Sequence, residues 1–141
     1  MIDVNGISLY VEEHGAGEPV LLLHGWPDSA RLWRHQVPFL AAHGYRVITP
    51  DLRGFGRSGR PAEVAGYRLR NVVADVGAIL DHLAIDTAYV VGHDWGAAVA
   101  WLTAMLCPAR VRKLTAISVP HPFAPPTLRQ YEMAWYQLFF Q

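Results

Sequence analysis

The stretch that decides the fold is Val90-Val91-Gly92-His93-Asp94-Trp95-Gly96-Ala97-Ala98. Its β-branched residues favour a strand at the start, and its small residues favour a closely packed helix at the end. Between them, Gly92 and Gly96 lack the Cβ atoms that would collide in a sharp strand-to-helix connection. The stretch therefore predicts a strand, a tight turn with Asp94 at its apex, and a helix.

This turn has the form of a nucleophile elbow, G-x-Nuc-x-G, with aspartate in place of the more usual serine. Free N–H groups and the helix dipole at the start of the next helix favour the negative charge of Asp94. An aspartate is an anion at neutral pH, so it needs no base before it attacks. Because a carboxylate can displace a leaving group from a polarised saturated carbon, we expect an epoxide or an alkyl halide as substrate. Taken alone, the same residues also describe an ordinary turn with Asp94 as helix cap.

A second informative segment, His24-Gly25-Trp26-Pro27, follows a continuously apolar run that predicts a central strand. Gly25 permits an unusual backbone, and Pro27 restricts Trp26 to an extended conformation, which can fix the Trp26 N–H toward a pocket. Trp26 and Trp95 are then the two backbone donors that an oxyanion hole needs. The alternative is a plain loop with a packed tryptophan.

Composition narrows the class of partner. The 141 residues are 52% hydrophobic and 17% charged with a net charge of zero, which argues against nucleic acid, an anionic membrane surface and disorder. The single cysteine, Cys107, excludes an internal disulfide and fits a reducing cytoplasm. No stretch reaches the roughly 18 apolar residues of a membrane span, and the N-terminus lacks a signal pattern. We expect a soluble cytoplasmic protein that binds a small molecule, without metal or cofactor.

Strand and helix patterns alternate along the chain. Residues 2–12 predict a hairpin around Asn5-Gly6 that forms the edge of the sheet. A parallel sheet with helices on both faces is expected to follow, and ligands of such sheets bind beyond the carboxyl ends of the strands. The remaining predicted elements are a helix from Ser29 to Ala42 interrupted near Pro38, a strand at 46–49, a helix at 69–83, a strand at 87–91, a buried helix at 96–106 and a strand at 111–119.

The loop after Thr49 contains a misleading pattern. Gly54, Gly56 and Gly59 match G-x-G-x-x-G, and Asp75 lies about 20 residues further on, as in a dinucleotide-binding fingerprint. The third glycine is followed by Arg60-Pro61 and not by a helix, and Asp75 falls inside a predicted helix. The spacing therefore argues against nucleotide binding.

Several of these segments together resemble the α/β-hydrolase superfamily, specifically its epoxide hydrolase branch. The likeness covers nearly the whole chain: His24-Gly25-Trp26-Pro27, residues 51–58, Gly92-His93-Asp94-Trp95-Gly96, Val119-Pro120-His121-Pro122 and residues 135–141. It implies an α/β fold with a three-layer, mostly parallel sheet and an N-terminal hairpin, truncated before the last strands. Residues 1–123 would form the N-terminal part of the core, and 124–141 the start of a helical lid.

The resemblance also implies roles for individual residues. Asp94 is the catalytic nucleophile that opens the epoxide, and Trp26 and Trp95 supply the oxyanion N–H groups. Tyr136 matches one of two lid tyrosines that hydrogen-bond the epoxide oxygen, and a phenol keeps its proton at neutral pH. Among the residues near the strand ends, His24, Pro27 and His121 are expected to line the substrate pocket. Without the resemblance, Tyr136 would be interpreted as one of several aromatic residues that pack in a lid.

One part of the family's machinery has no match. The family needs a histidine, oriented by an acid, to activate water against the alkyl-enzyme ester, and neither is assigned in these 141 residues. His24, His93 and His121 each belong to a motif with a structural explanation. If these residues were the whole molecule, it could at best be alkylated once and stall.

Three functional hypotheses follow. The leading one is the N-terminal portion of an epoxide hydrolase, which converts an epoxide and water to a vicinal diol. Haloalkane dehalogenase shares the aspartate elbow, although Trp26 and Tyr136 argue against it. The third is a non-catalytic binding module or a truncated α/β-hydrolase that keeps the pocket without turnover. In addition, the strand at 111–119 is expected to present an unpaired edge through which the chain self-associates.

Overall fold

A five-stranded sheet forms the centre of the molecule, in a computed structural model that describes residues 1–134 apart from the side chain of Tyr131. Its strands stand in the spatial order β3-β5-β4-β6-β7. Only β3 runs antiparallel to its neighbour. The bounds are β3 Val11–His14, β4 Glu18–Leu23, β5 Tyr45–Pro50, β6 Ala88–His93 and β7 Val111–Ile117.

An N-terminal hairpin is present, as expected, but it stands outside the main sheet. Strands β1 (Ile2–Val4) and β2 (Ile7–Leu9) pair with each other in a separate two-stranded sheet. Asn5 and Gly6 both have positive φ, as a type I′ turn requires. The expectation that the hairpin forms the sheet edge is wrong, because residues 11–14 make a third strand, β3, which pairs with β5.

The predicted central strand, β4, separates two hydrophobic clusters. Leu21 and Leu23 belong to a cluster with helices α2 (Leu69–His82) and α3 (Trp95–Leu106), whereas Val20 and Leu22 face the opposite cluster with helix α1 (Gln36–Ala42). This alternation follows from the two-residue period of a strand. Each buried leucine contributes about 1.5–3 kcal/mol of burial free energy. The helices therefore cover both faces of the sheet, as predicted.

The helix expected from Ser29 to Ala42 is two separate pieces. Ser29 caps a short 3₁₀ helix, Ala30–Trp33, through a hydrogen bond to its side-chain oxygen from the Arg31 N–H. The α1 helix, Gln36–Ala42, begins after a break and holds Pro38 in its first turn. A proline is tolerated there because its missing N–H would have had no partner within the helix.

The longer helices are close to their predicted bounds. The α2 helix spans Leu69–His82, and α3 spans Trp95–Leu106. Residues 96–100 of α3 are buried or half-buried, but Met105 and Leu106 in its last turn are 41% and 63% exposed, so the expectation of a buried helix is wrong there. The remaining helices are the 3₁₀ helices Val64–Tyr67 and Pro108–Arg110 and the short α4, Leu128–Met133. Among residues 1–134, none of the helices has the length and hydropathy to cross a bilayer.

Candidate active site

Asp94 stands at the apex of the turn between β6 and α3. Its φ of 54° lies in the left-handed region, which costs a non-glycine residue free energy and marks a strained position. A Cβ on Gly92 would lie 2.2 Å from the Gly96 carbonyl oxygen, and one on Gly96 would lie 2.2 Å from the Leu23 carbonyl oxygen. Only glycine fits at these two positions, so the residues beside the apex permit the sharp turn.

The Asp94 carboxylate faces the loop that follows β4. The Trp26 backbone N–H donates to Asp94 Oδ1 over 2.9 Å. Gly25 makes this approach possible, because a Cβ there would lie 2.4 Å from Asp94 Cβ and 2.5 Å from Oδ1. The Asp94 side chain makes no capping hydrogen bond to α3, so the alternative of a simple helix cap does not describe this carboxylate.

Trp95 is the first residue of α3, next to Asp94. Its N–H belongs to the first turn, where backbone donors have no partner within the helix and favour an anion. The Trp26 and Trp95 side chains are each 53% exposed, and Pro27 is also exposed. The peptide bond between Trp26 and Pro27 is cis. The two tryptophans thus flank Asp94 at the carboxyl edge of the sheet.

His24 is fully buried, and its ring hydrogen-bonds to backbone groups of two loops. Its Nε2 accepts the Leu52 N–H over 2.9 Å, so the ring proton is on Nδ1, which donates to the Gly25 carbonyl over 2.8 Å. Burial lowers the pKa of His24, which keeps the ring neutral. The expectation that this side chain lines the substrate pocket is not met, because it has no exposed surface and both nitrogens are occupied.

His121 lies on the exposed segment after β7. Its ring packs edge-on against Trp101, with ring centroids 4.7 Å apart, and its Nδ1 accepts the Phe123 N–H over 3.1 Å. Trp101 in turn donates its indole N–H to the Val119 carbonyl. The Asp94 N–H donates to the Ile117 carbonyl over 3.2 Å, which ties the apex to the end of β7. His121 is therefore on the same edge of the sheet as Asp94, at the surface.

Asp51 organises this edge, a role that the sequence reasoning missed. Its carboxylate is buried and accepts the Ala30 N–H on Oδ1 and the Arg57 N–H on Oδ2, over 2.7 and 2.8 Å. Gly56, at φ 50°, leaves room for it. The Ser58 hydroxyl also donates to the Asp51 carbonyl. The Asp51 carboxylate thus joins the loop after β4 to the loop after β5. The sequence pattern that could have predicted this role is an aspartate directly after a buried strand and before a glycine-rich loop.

A buried ion pair anchors the same glycine-rich loop to α2. Arg53 donates from Nε and Nη2 to the two carboxylate oxygens of Asp75, over 2.6 Å each, and from Nη1 to the Gly66 carbonyl. Asn5 donates to the same carboxylate over 3.0 Å. Asp75 lies within α2, and both of its oxygens are occupied, so it is not available to a ribose as the dinucleotide pattern would require.

The predicted lid tyrosine and the search for a metal site are both limited by the part of the chain that the structure describes. Tyr136, the predicted lid tyrosine, and residues 135–141 lie outside the described residues. Within residues 1–134, no three His, Cys, Asp or Glu side chains cluster in a way that could hold a metal ion. The described part of the site therefore consists of a carboxylate, backbone N–H groups and aromatic side chains.

Comparison with known proteins matches this arrangement to one family. Residues 18–141 match the family model of the alpha/beta hydrolase fold. An epoxide hydrolase from Caballeronia sordidicola is 47% identical over 119 residues, covering 84% of this chain and 36% of that protein. Epoxide hydrolase A of Mycobacterium tuberculosis is 43% identical over an alignment of 152 residues, covering 100% of this chain and 47% of that protein.

Solved structures agree with the sequence relatives. The crystal structure of an epoxide hydrolase from Vigna radiata superposes with a TM-score of 0.86 at 37% identity, covering 98% of this chain and 44% of that one. Epoxide hydrolase A from Mycobacterium thermoresistibile gives a TM-score of 0.84 at 37% identity, covering 99% of this chain and 44% of that one. The chain thus spans less than half the length of each of these four proteins.

Proposed function

The chain belongs to the alpha/beta hydrolase family, in its epoxide hydrolase branch, and from this membership we propose that Asp94 opens an epoxide by nucleophilic attack. The substrates are a small-molecule epoxide and water, and the product of the complete reaction is a vicinal diol. The observation that carries the proposal is the 2.9 Å hydrogen bond between the Trp26 N–H and the carboxylate of a residue held at positive φ.

The first step forms one bond and breaks one. Because Oδ1 of Asp94 accepts the Trp26 N–H, Oδ2 is the oxygen that attacks an epoxide carbon. The C–O bond to that carbon breaks, and the electron pair goes to the epoxide oxygen, which becomes an alkoxide and takes a proton. The Tyr136 phenol is the proposed donor of that proton, since it is protonated at neutral pH. The product is an alkyl-enzyme ester on Asp94.

The second step hydrolyses this ester. Water adds to the ester carbonyl carbon, and the Trp26 N–H, which already donates to Oδ1, stabilises the oxyanion that forms there, with the Trp95 N–H as the proposed second donor. The bond between the carbonyl carbon and Oδ2 then breaks, Oδ2 leaves as a hydroxyl of the diol with a proton from the water, and the water oxygen stays in the Asp94 carboxylate. The water needs a base. His24 is unsuited to this role because its Nε2 already accepts the Leu52 N–H. The proposal therefore assigns the first step to Asp94 and leaves the water-activating base unassigned.

Intact-protein mass spectrometry tests the nucleophile. Incubation with styrene oxide is expected to add the mass of one epoxide molecule to the chain, and Asp94→Asn is expected to abolish the addition because an amide is neutral and far less nucleophilic. Peptide mapping should place the adduct on the peptide that contains Asp94. If diol forms without a detectable adduct, a rapid quench before mass measurement captures the intermediate.

A matched variant controls for general loss of a carboxylate. Asp86→Asn removes an exposed carboxylate after α2 and should be alkylated at the parent rate. The proposal fails if the folded parent forms neither adduct nor diol, or if Asp94→Asn retains either. An adduct without diol would assign the first step alone to these residues.

A parallel incubation with an alkyl chloride or bromide separates the other two hypotheses. A haloalkane dehalogenase would release halide from an alkyl chloride or bromide, and a binding module would give no covalent product with either substrate. The relatives described above are epoxide hydrolases, and they do not favour these alternatives.

The proposal also covers the division of the chain into core and lid, its cellular compartment and its self-association. Residues 1–123 are the N-terminal part of the core, and residues 124–141 begin the lid, supported by the exposed segment between β7 and α4. The compartment is the cytoplasm, supported by the lone Cys107. Self-association through β7 is supported by its position at the edge of the described sheet, and sedimentation velocity would measure it.

A further inference from the structure

A cavity lies beside β3, the antiparallel edge strand of the sheet. Its volume is about 720 Å³, within the range of small-molecule sites. None of its lining residues belongs to the elbow or to the oxyanion donors. They come from β3, the 3₁₀ helix at 30–33, the residues that flank these two elements, α1 and the glycine-rich loop.

Three arginines from two segments of the chain line this cavity. Arg31, Arg34 and Arg57 are exposed, and within the described part of the chain none of them forms an ion pair. The Arg34 guanidinium donates a long hydrogen bond, 3.4 Å, to the Arg31 carbonyl. The Arg57 guanidinium lies 4.2 Å above the centroid of the Tyr10 ring, which fixes its orientation and leaves its N–H edges open.

The carboxylates beside these arginines hydrogen-bond to groups other than the arginines. Both oxygens of Asp51 accept backbone N–H groups, as described above. Glu12 accepts the Tyr10 hydroxyl on Oε1 over 2.5 Å, and its Oε2 lies 3.7 Å from His14 Nε2. Because neither Asp51 nor Glu12 forms an ion pair with these arginines within the described residues, the arginine donors are open to an anion that enters from solvent.

The remaining wall is apolar. Val37, Pro38 and Ala41 of α1 line the cavity together with the ring of Tyr10. A guanidinium fork recognises carboxylate and phosphate oxygens in pairs, and an apolar wall contacts the body of a ligand. We propose that this cavity binds a small organic anion with more than one negative charge, of the phosphate monoester or dicarboxylate class, carried on an aromatic or aliphatic body.

Isothermal titration calorimetry with phenyl phosphate tests the site in the intact protein. The dianion matches the arginines, and the ring matches the apolar wall. We expect saturable one-site binding with a Kd on the order of 1 mM or tighter, weakening as salt is added because the charges are exposed. Inorganic phosphate should bind more weakly than phenyl phosphate, since it lacks the ring, and phenol should not bind measurably.

Arginine variants locate the binding. Arg34→Gln is expected to raise the Kd roughly fivefold, and the double variant with Arg57→Gln roughly 25-fold if the two contributions add. Arg70→Gln removes the same charge from an exposed position on α2, outside the cavity, and should leave the Kd within twofold.

Two results would overturn the proposal. The first is absence of saturable phenyl phosphate binding to the folded parent. The second is equal weakening by Arg34→Gln and Arg70→Gln, which would mean that only net charge matters. Asp94→Asn should bind phenyl phosphate as the parent does; loss of binding in that variant would place the ligand at the elbow and also contradict the proposal.

Discussion

Replacing Gly25 by alanine should disable the proposed nucleophile although Asp94 itself is not substituted. The new Cβ would lie 2.4 Å from Asp94 Cβ and 2.5 Å from Oδ1, whereas non-bonded carbon atoms prefer about 3.5–4.0 Å. The two segments must separate by roughly 1 Å or more. The hydrogen bond from the Trp26 N–H, now 2.9 Å, would then exceed 3.5 Å and be lost.

The size of the effect follows from this displacement. A misplacement of about 1 Å at a reacting group can cost roughly 10²-fold in rate. At about 1.36 kcal/mol per tenfold, this corresponds to about 2.7 kcal/mol of activation free energy. The assay is the rate of adduct formation with excess styrene oxide, followed by intact mass, together with a thermal melt to establish that the variant is folded.

Gly77→Ala is the matched control, because a Cβ at that position in α2 would meet nothing within 4 Å. It should be alkylated at the parent rate and should gain about 0.5–1 kcal/mol of stability from its helical position. A folded Gly25→Ala protein that forms adduct within threefold of the parent rate would refute the argument that the close approach of Gly25 positions the carboxylate.

Two other substitutions test the support of the site. Asp75→Asn should lower the free energy of unfolding by about 3 kcal/mol in urea denaturation, because it leaves a buried arginine without its charge partner; Asp81→Asn, in an exposed ion pair, should cost less than about 1 kcal/mol. Burial lowers the pKa of His24. Below pH about 6.5 the imidazole is therefore protonated in the unfolded chain but stays neutral in the folded chain. The free energy of unfolding is expected to fall as the pH drops from 7 to 5. His24→Gln, whose amide oxygen can still accept the Leu52 N–H, should flatten this slope, whereas exposed His35→Gln should not; equal slopes for the parent and His24→Gln in thermal melts would contradict the assignment.

Much of the architecture was accessible from sequence because it depends on local patterns. The apolar run of β4, the amphipathic period of α2 and the glycines around Asp94 each indicate one element, and all three are present. The position of the hairpin was not accessible, since β3 is defined by its pairing with β5, more than 30 residues later in the chain, and not by its own four residues.

The site was only partly accessible for a related reason. The motifs predicted that Trp26, Asp94 and Trp95 lie close together, because parallel strands end at the same edge of the sheet. The Trp26 N–H does donate to Asp94. The buried position of His24 depends on the Leu52 N–H, a contact between two loops that the local pattern does not encode. The role of Asp51 was missed for the same reason.

The two hydrogen bonds accepted by the Asp51 carboxylate have a consequence for loop engineering. The segment at 51–61 has neither helix nor strand, and its length and glycines invite insertion or grafting. Its first residue nevertheless holds the Ala30 N–H of another loop, so a graft that discards Asp51 leaves a buried donor unsatisfied in a segment the designer has not altered. Redesign on this edge therefore has to treat the two loops as one transplantable unit.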